Sequence, residues 1–325
     1  MATSQLLNPQ PRSLRIVFMG TPEFAVPSLQ VLINENDQVV GVFTQPDQPS
    51  GRGMALHAPP VKVLAEACRI PVFQPAKLRV PGVLEQLQLW QPDLIVVAAY
   101  GRILPTTILT FPQYGCINVH ASLLPKYRGA GPIQWAIANG ETETGVTIMQ
   151  ISEQMDSGDI LLQRALPIMA EDTGGSLHDK LAKLGAEALH EAIALLKAGQ
   201  LPARPQNEAE VTYAPLIKKE DGRIDWALPA TVIERRVRAF NPWPSAYTTI
   251  NGKLLKIFVA HVEQAPRFSQ AAPGTIVEVT PVSLSVATGD GMLTLLEVQL
   301  EGKKRLPVEE FLRGHHIAPG LVLGR

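Results

Sequence analysis

From residue 14 to residue 120 the chain alternates short, almost wholly apolar runs with longer stretches of helical periodicity, and that alternation leaves few folds open. LRIVFMG (14–20), VVGVFTQ (39–45), PVFQ (71–74), DLIVVAA (93–99) and CINVH (116–120) read as strands, and PSLQVLINE, VKVLAEAC and VLEQLQLW between them read as helices. A strand that is apolar throughout must be covered on both faces. The pattern therefore predicts an α/β fold with a mostly parallel, doubly wound (Rossmann-like) sheet. GVTIMQI (145–151) and DILLQRALPI (159–168) are two further strands so close together that a hairpin is expected, which gives the sheet an antiparallel part.

The stretch SLHDKLAKLGAEALHEAIALLKAG (176–199) is the clearest helix. Leu177, Leu181, Leu184, Ala188, Ile193 and Leu196 follow one face, Ser176 with Asp179 resembles a capping box, and Gly199 suits the stop. QLPARPQNEAE, which follows, is Pro-rich and polar, as a linker is. Beyond residue 218, LLKIFVAHV, GTIVEV, SLSVATG and MLTLLEVQL are short strands broken by Gly, Pro and Asn, the pattern of a small β sandwich or barrel. The expected organisation is a first domain over 1–199, a linker over 200–217 and a C-terminal β domain over 218–325.

A chain of 325 residues with 46% hydrophobic content can build two such cores. Its formal charge of −1 does not argue against a nucleic-acid partner, because the placement of charge matters more than the sum. Cys68 and Cys116, far apart and in unlike contexts, give no disulfide framework and no paired metal-ligand spacing. The polar N-terminus and the shortness of every apolar run predict neither a signal peptide nor a membrane span, so a soluble cytoplasmic protein is expected.

Chemistry is concentrated where CINVH ends. In an open parallel sheet ligands gather beyond the carboxyl ends of the strands. Asn118 and His120, two residues apart on a strand, share a side there. An amide and an imidazole side by side can donate to one oxygen, which suits an oxyanion developing during acyl or formyl transfer. Alone, the pair reads more readily as an Asn capping a turn and a His satisfied by backbone, since a His at a strand end is common. A carboxylate near His120 would fix its tautomer, favour its protonated form and help move a proton, and QMDSGDI supplies Asp156 and Asp159. Asp159 reads as a turn residue, whereas spacing leaves Asp156 open between turn and site.

The absences narrow the chemistry. MGTPEF follows the first strand where a Gly-x-Gly-x-x-Gly would stand, and there is no Walker-type lysine loop. His315-His316 lacks partners at metal spacing, so no metal is expected. Ser122 lacks the Gly-x-Ser-x-Gly elbow, and Cys116 lies inside a strand as an inert thiol. Direct attack, without a covalent intermediate, remains.

These residues resemble a known family. MGTPEFAVPSL, AAYGRILP, INVHASLLPKYRGAGPIQWAI, TGVTIMQISEQMDSGDIL and RAFNPWPSA, in this order from about residue 14 onward, closely resemble the methionyl-tRNA formyltransferases. NVHASLLP marks the wider 10-formyltetrahydrofolate-dependent formyltransferases, and RAFNPWP is particular to the tRNA enzymes. The resemblance implies Asn118, His120 and Asp156 as the catalytic trio, with 10-formyltetrahydrofolate as co-substrate and the α-amine of methionyl initiator tRNA as acceptor. It implies Ser122, Leu123, Leu124 and Pro125 as part of the folate wall. It also implies that the strand end Val96–Gly101, with Val97, Tyr100 and Gly101, is where the pterin lies, largely against backbone. A monomer is implied as well.

For the RNA side, residues 44–62 form a long segment containing Gly and Pro, expected to be a mobile binding loop. In the family this loop enters the acceptor-stem groove. Met54-Ala55 stand where lysines are common, which leaves Arg52 as the loop's main cation. Over 218–256 the basic residues, Lys218, Arg235 and Arg236 among them, outnumber the acidic ones, and Lys303-Lys304-Arg305 follows. Two such clusters suit a phosphate-tracking surface, in keeping with the OB-like, tRNA-contacting barrel of the family. Trp226 and Trp243 read as core or domain-interface residues. Lys126 and Arg128 are placed to touch either the tRNA 3′ end or the folate tail.

Four other readings compete. An amino-sugar-nucleotide formyltransferase shares the site but needs neither the basic β domain nor RAFNPWP. A formate-releasing hydrolase needs no acceptor. A tRNA-binding protein with a disused catalytic domain has no physical need of the trio, and an NAD enzyme lacks its glycine fingerprint.

Overall fold

The computed structural model describes residues 13–50, 55–263 and 271–324. They fall into two compact units. One comprises the chain up to Arg128 together with residues 145–166 and 179–213; the other comprises 129–144, 167–178 and the chain from Ala214 onward.

Seven strands form the sheet of the first unit: β1 (Arg15–Gly20), β2 (Gln38–Phe43), β3 (Val72–Phe73), β4 (Leu94–Ala98), β5 (Cys116–His120), β6 (Glu143–Gln150) and β7 (Ile160–Pro167). Their order is β7-β6-β5-β4-β1-β2-β3. The strands from β1 to β5 pair in parallel, as the apolar runs require. β6 pairs antiparallel to β5, with Met149 opposite Asn118 and Thr147 opposite His120. Backbone bonds Gln150 N to Asp159 O and Ile168 N to Thr142 O, each 2.9 Å, close the expected β6–β7 hairpin.

Close packing by helices fixes which face of β5 is available for chemistry. A Cβ at Gly185, in the long helix Gly174–Lys197, would lie 2.8 Å from Val119 Cγ1, so that helix covers the Val119 face of the strand. Alternation then turns Cys116, Asn118 and His120 to the other face. The helix itself buries Leu181 and Leu189 completely, at about 1.5–3 kcal/mol each. Its cap differs from the expected one. Thr173 and Ser176 bond reciprocally, each backbone N–H to the other's hydroxyl at 3.0 and 3.1 Å, so the box begins three residues before Ser176. Ser176 instead closes the box, at the third helical position, and donates to Asp172 at 2.7 Å. At the helix's far end Lys197 meets the buried Asp37 at 2.9 Å, and Asp37 also accepts the Leu14 N–H at 2.8 Å.

The second unit carries β8 (Ala246–Ile250), β9 (Lys253–Val262), β10 (Ile276–Val279), β11 (Leu284–Ala287), β12 (Met292–Leu300) and β13 (Arg305–Pro307). They run in the order β8-β9-β12-β11-β10 with β13 beside β12, every pair antiparallel. This small β unit closes on one core that includes Leu255, Ile257, Leu293, Leu295 and Val298. Trp226 belongs to that core and donates its indole N–H to Thr248 at 3.1 Å. Trp243 does not. It is 57% exposed, in a turn that Ser245 closes by bonding Phe240 O and Pro242 O at 2.8 Å each. A helix that the strand pattern did not announce, Ala230–Ala239, packs on Pro132–Asn139, and Trp135 meets Phe240 edge to face at 6.0 Å. Among the described residues no helix is long and apolar enough to cross a membrane.

Two measurements test this packing. Burial pushes the Cys116 thiol up to about 12, whereas Cys68 is exposed, so a thiol reagent at pH 8 should label one cysteine in the native chain and both in denaturant. Fast native labelling of both would contradict the packing of β5. Replacing Asp37 by Ala strips a buried pair and an acceptor, and should cost about 3–5 kcal/mol in denaturant unfolding; a loss under ~1 kcal/mol would show that the Lys197 pairing is idle.

Candidate active site

At the end of β5 the His120 ring is buried, 5% exposed, with a backbone carbonyl at one nitrogen and a carboxylate facing the other. Nε2 lies 3.0 Å from the Tyr127 carbonyl, and since a carbonyl only accepts, Nε2 carries a proton. Nδ1 faces Asp156 Oδ2 at 3.7 Å, an ion-pair separation longer than a hydrogen bond. Asn118, half-buried, precedes His120 on the same face, and across the parallel pair it lies beside Val97.

Asp156 reaches His120 by an indirect route. Gln150, where β6 ends, is level with Ile117, at the far end of β5 from His120. The 151–159 connection must therefore double back along the strand. Its conformation is specialised: Asp156 has φ +50°, a left-handed backbone that Asp tolerates better than most residues. Ser157 donates to Gln154 O at 3.2 Å, and a side chain at Gly158 would strike Gln150 O at 1.8 Å. Asp159 stays in the hairpin pairing through its carbonyl, a turn role.

The loop after β5 is pinned from beneath. Thr147 Oγ1 donates to Ser122 O at 2.7 Å and accepts from Leu124 N at 3.1 Å, and Gln163 Nε2 donates to Leu124 O at 2.9 Å. The Ser122 hydroxyl is turned inward onto Lys126 O at 2.6 Å, and Leu124 packs with Met149 and Ile160. Leu123 and Pro125 remain half-buried. Lys126 is exposed, but Arg128 is buried, and its guanidinium is engaged by Gln206 and Glu208 of its own unit. It is thus a cation paired within its own unit.

At the neighbouring strand end Val97 and the Tyr100 ring are buried, and Gly101, with φ +77°, is exposed. Burial raises the Tyr100 phenol to about 12, and its hydroxyl has no partner among the described residues. What Tyr100 offers outward is backbone: its carbonyl accepts from Gln45 Nε2 at 3.0 Å and from Thr21 Oγ1 at 3.4 Å. Gln45 Oε1 in turn accepts from Arg102 at 2.7 and 3.0 Å. Beside it Asp47 accepts from Lys62 at 2.8 Å and from Gln74 at 2.7 Å; the Gln74 and Lys62 bonds hold its carboxyl below the usual carboxylate range. In the sequence the only sign of this polar cluster is that VVGVFTQ ends in an amide. The cluster stands at the base of a short hairpin, Gln48–Ser50 with Ala55–His57. Arg52, between those strands, lies outside the described residues.

Of the remaining basic positions, Lys218, Lys303 and Lys304 are exposed. Arg305 is exposed too, but pairs with Glu297 at 2.5 Å and stacks over Phe258 at 4.2 Å. Arg235 and Arg236 are half-buried on their helix, and Arg235 Nε is buried with no partner among the described residues. A side chain at Gly140 would collide with the Arg235 guanidinium. No group of three or more His, Cys, Asp or Glu able to hold a metal occurs among the described residues.

Comparison with known proteins agrees with this architecture. Residues 14–193 match the formyl transferase family model, and residues 216–316 match that of the formyl transferase C-terminal domain. The methionyl-tRNA formyltransferases of Citrifermentans bemidjiense and Geotalea uraniireducens are 51% and 50% identical over 96% of this chain, and the match covers 97% and 98% of their own lengths. Among solved structures, the N-formyltransferase of Helicobacter canadensis, in complex with folinic acid and dTDP-3-aminofucose, superposes with a TM-score of 0.66 at 19% identity, over 90% of this chain and all of that one. The methionyl-tRNA formyltransferase of Clostridium thermocellum superposes at 0.53 with 16% identity, over 77% of this chain and 94% of that one. At such identities the structures speak to the fold alone. The sequence relatives and both domain matches carry the assignment: the chain belongs to the methionyl-tRNA formyltransferase family.

Proposed function

We propose that the chain moves a formyl group from 10-formyltetrahydrofolate to the α-amine of methionine esterified to initiator tRNA, acting as a cytoplasmic monomer in translation initiation. The observation that carries the reading is the buried imidazole at the tip of β5, with a carboxylate on one ring nitrogen and an amide two residues before it.

Asn118 and His120 stabilise the carbonyl oxygen as it gains charge. For His120 the donor is Nε2–H, which exchanges the Tyr127 carbonyl for the formyl oxygen, while Asp156 holds the opposite edge of the ring. The attacking amine must be neutral, and with α-amino pKa values of about 7.7–8.0 a useful fraction is so at cell pH. The new C–N bond forms as the formyl carbon's bond to N10 of the folate breaks. The proton lost by the amine passes, through water and Asp156, to the departing nitrogen, so the reaction is balanced without a metal or a covalent enzyme intermediate. Ser122 to Pro125, with Val97, Tyr100 and Gly101, form the folate wall. The first unit's sheet carries the chemistry. Arg52, Lys218, Arg235, Arg236, Lys303, Lys304 and Arg305 supply the tRNA contacts, with the C-terminal part as the main RNA-contacting domain.

Losing one oxyanion donor costs roughly 2.7–4 kcal/mol of barrier. Asn118→Ala and His120→Ala should therefore each lose at least about a hundredfold in kcat while unfolding at the wild-type temperature; near-normal turnover of either refutes its role. The acceptor is tested by formylation rates on methionyl initiator tRNA, methionyl elongator tRNA and an amino sugar nucleotide. Transfer should be confined to the first, and a faster rate on the sugar nucleotide would reassign the enzyme. For the RNA surface, the double substitution Lys303→Ala/Lys304→Ala should raise KM for the tRNA severalfold at constant kcat. It should also flatten the slope of log affinity against log salt by about 0.7–0.9 for each phosphate that is no longer neutralised. An unchanged slope would remove that cluster from the interface.

A further inference from the structure

The stretch LPARPQNEAEVTY has the composition of a connector, yet within the first unit it is bonded to both loops that make the site. Arg204 forms a bridge with Ile160, at the start of β7. Thr212 accepts the Tyr127 N–H on its hydroxyl at 2.9 Å, and its carbonyl accepts the Arg128 N–H at 2.9 Å. Between these two anchors lies Gln206. Its Nε2 donates to Asp156 O and to Gly158 O, both at 2.8 Å. Its Oε1 accepts from Arg128 Nε and Nη2 at 3.0 and 2.8 Å.

All four bonds come from one amide, and both its ends are used. The donor end clasps the two carbonyls that flank Ser157, in the part of the connection that doubles back to bring a carboxylate to His120. The acceptor end is fixed by a buried guanidinium. A carboxylate or a hydroxyl of similar reach cannot do both, because the first has no N–H and the second has only one hydrogen to give two acceptors. The left-handed φ of Asp156 is a conformation that surrounding bonds must hold. Gln206 supplies two such bonds, one to the Asp156 carbonyl and one to that of the residue two ahead.

We infer that Gln206 is a positioning residue for the formyl-transfer reaction: it never touches substrate, and acts by clamping the Asp156 turn against Arg128 so that the carboxylate is held at His120. The inference rests on the catalytic reading of His120 and Asp156 given above. It makes the strap 204–212 part of the active site's support.

The test is a double-mutant cycle on the full chain, with 10-formyltetrahydrofolate and methionyl initiator tRNA. Gln206→Met removes every bond. Gln206→Glu keeps an acceptor for Arg128 and removes only the donors to the turn. Both should lower kcat at least tenfold and leave KM for donor and acceptor within twofold. Asp156→Asn should lose at least a hundredfold, and adding either Gln206 substitution to it should change kcat by less than twofold, because Gln206 works only through that turn. A general loss of stability would instead multiply with the Asp156→Asn defect, and that result overturns the inference, as does either single Gln206 variant within twofold of wild type. A second readout is independent of turnover: amide hydrogen exchange over residues 152–158 should quicken at least tenfold in the Gln206 variants and stay unchanged in Asp156→Asn. Unchanged exchange in the Gln206 variants also overturns it. Full activity of Asp156→Asn would sink the catalytic reading instead, and the exchange rates would still decide whether Gln206 holds the turn.

Discussion

A protonated ring nitrogen buried without a partner costs about 1–3 kcal/mol, and much of the first unit answers to that constraint at His120. The imidazole sits where a strand runs out, beyond the reach of sheet pairing for its side chain, so each nitrogen needs a partner from elsewhere. Tyr127 supplies one from the loop that follows β5, and Asp156 the other from the β6–β7 connection. Each partner must then be held in turn. Thr212 secures Tyr127 through its backbone N–H, and Gly158 allows the tight course of the connection beside Gln150. The arrangement is thus layered: a buried ring, a carbonyl and a carboxylate around it, and a set of amides and hydroxyls that hold them.

That layering explains what can be read from the sequence. The strands are legible because burial on both faces forces apolar runs, and β5 keeps the limits expected for it, Cys116 to His120. Asn118 and His120 are legible as a pair because a period of two puts them on one face. The partnership with Asp156 is not, since it depends on a connection that folds back on itself, and no spacing encodes that path. Ser176 looks like the first cap residue because Gly174 and Gly175 resemble a break before the helix. A Cβ at Gly174 would instead meet Ala239 O at 2.3 Å, so close approach is what requires a glycine there. The hydrophobicity of Trp243 points it inward, but a turn closed on its own backbone leaves it no core to enter.

Polar residues in proline-rich stretches are the hardest to interpret. Gln206 and Thr212 lie where composition suggests a solvated linker, and Gln45 ends a run that reads only as strand. Each bonds at least in part to backbone carbonyls or amides, which carry no sequence signature. Conversely, Arg128 advertises itself as a surface cation beside the site, whereas the fold uses it inside. A charge in a sequence marks a need for a partner, and the partner can belong to the protein itself.

Arg128 shows why the inner layer takes the residue types it does. Its planar fork serves two acceptors at once, with Nε and Nη2 on Gln206 and Nη1 and Nη2 on Glu208 at 3.3 and 2.7 Å. A lysine offers a point charge with no such fork, so it cannot orient the Gln206 amide and meet the carboxylate together. The guanidinium holds the Glu208 carboxyl below its ordinary value of 4.5. With the folded value depressed, the contribution of the pair is complete above the unfolded carboxylate range and fades only as pH falls through the lowered value. Glu208 is exposed at its own end, so this pairing steadies Arg128 more than it stabilises the chain. The Arg128–Glu208 pair behind the Asp156 turn therefore keeps one charge state across the neutral range.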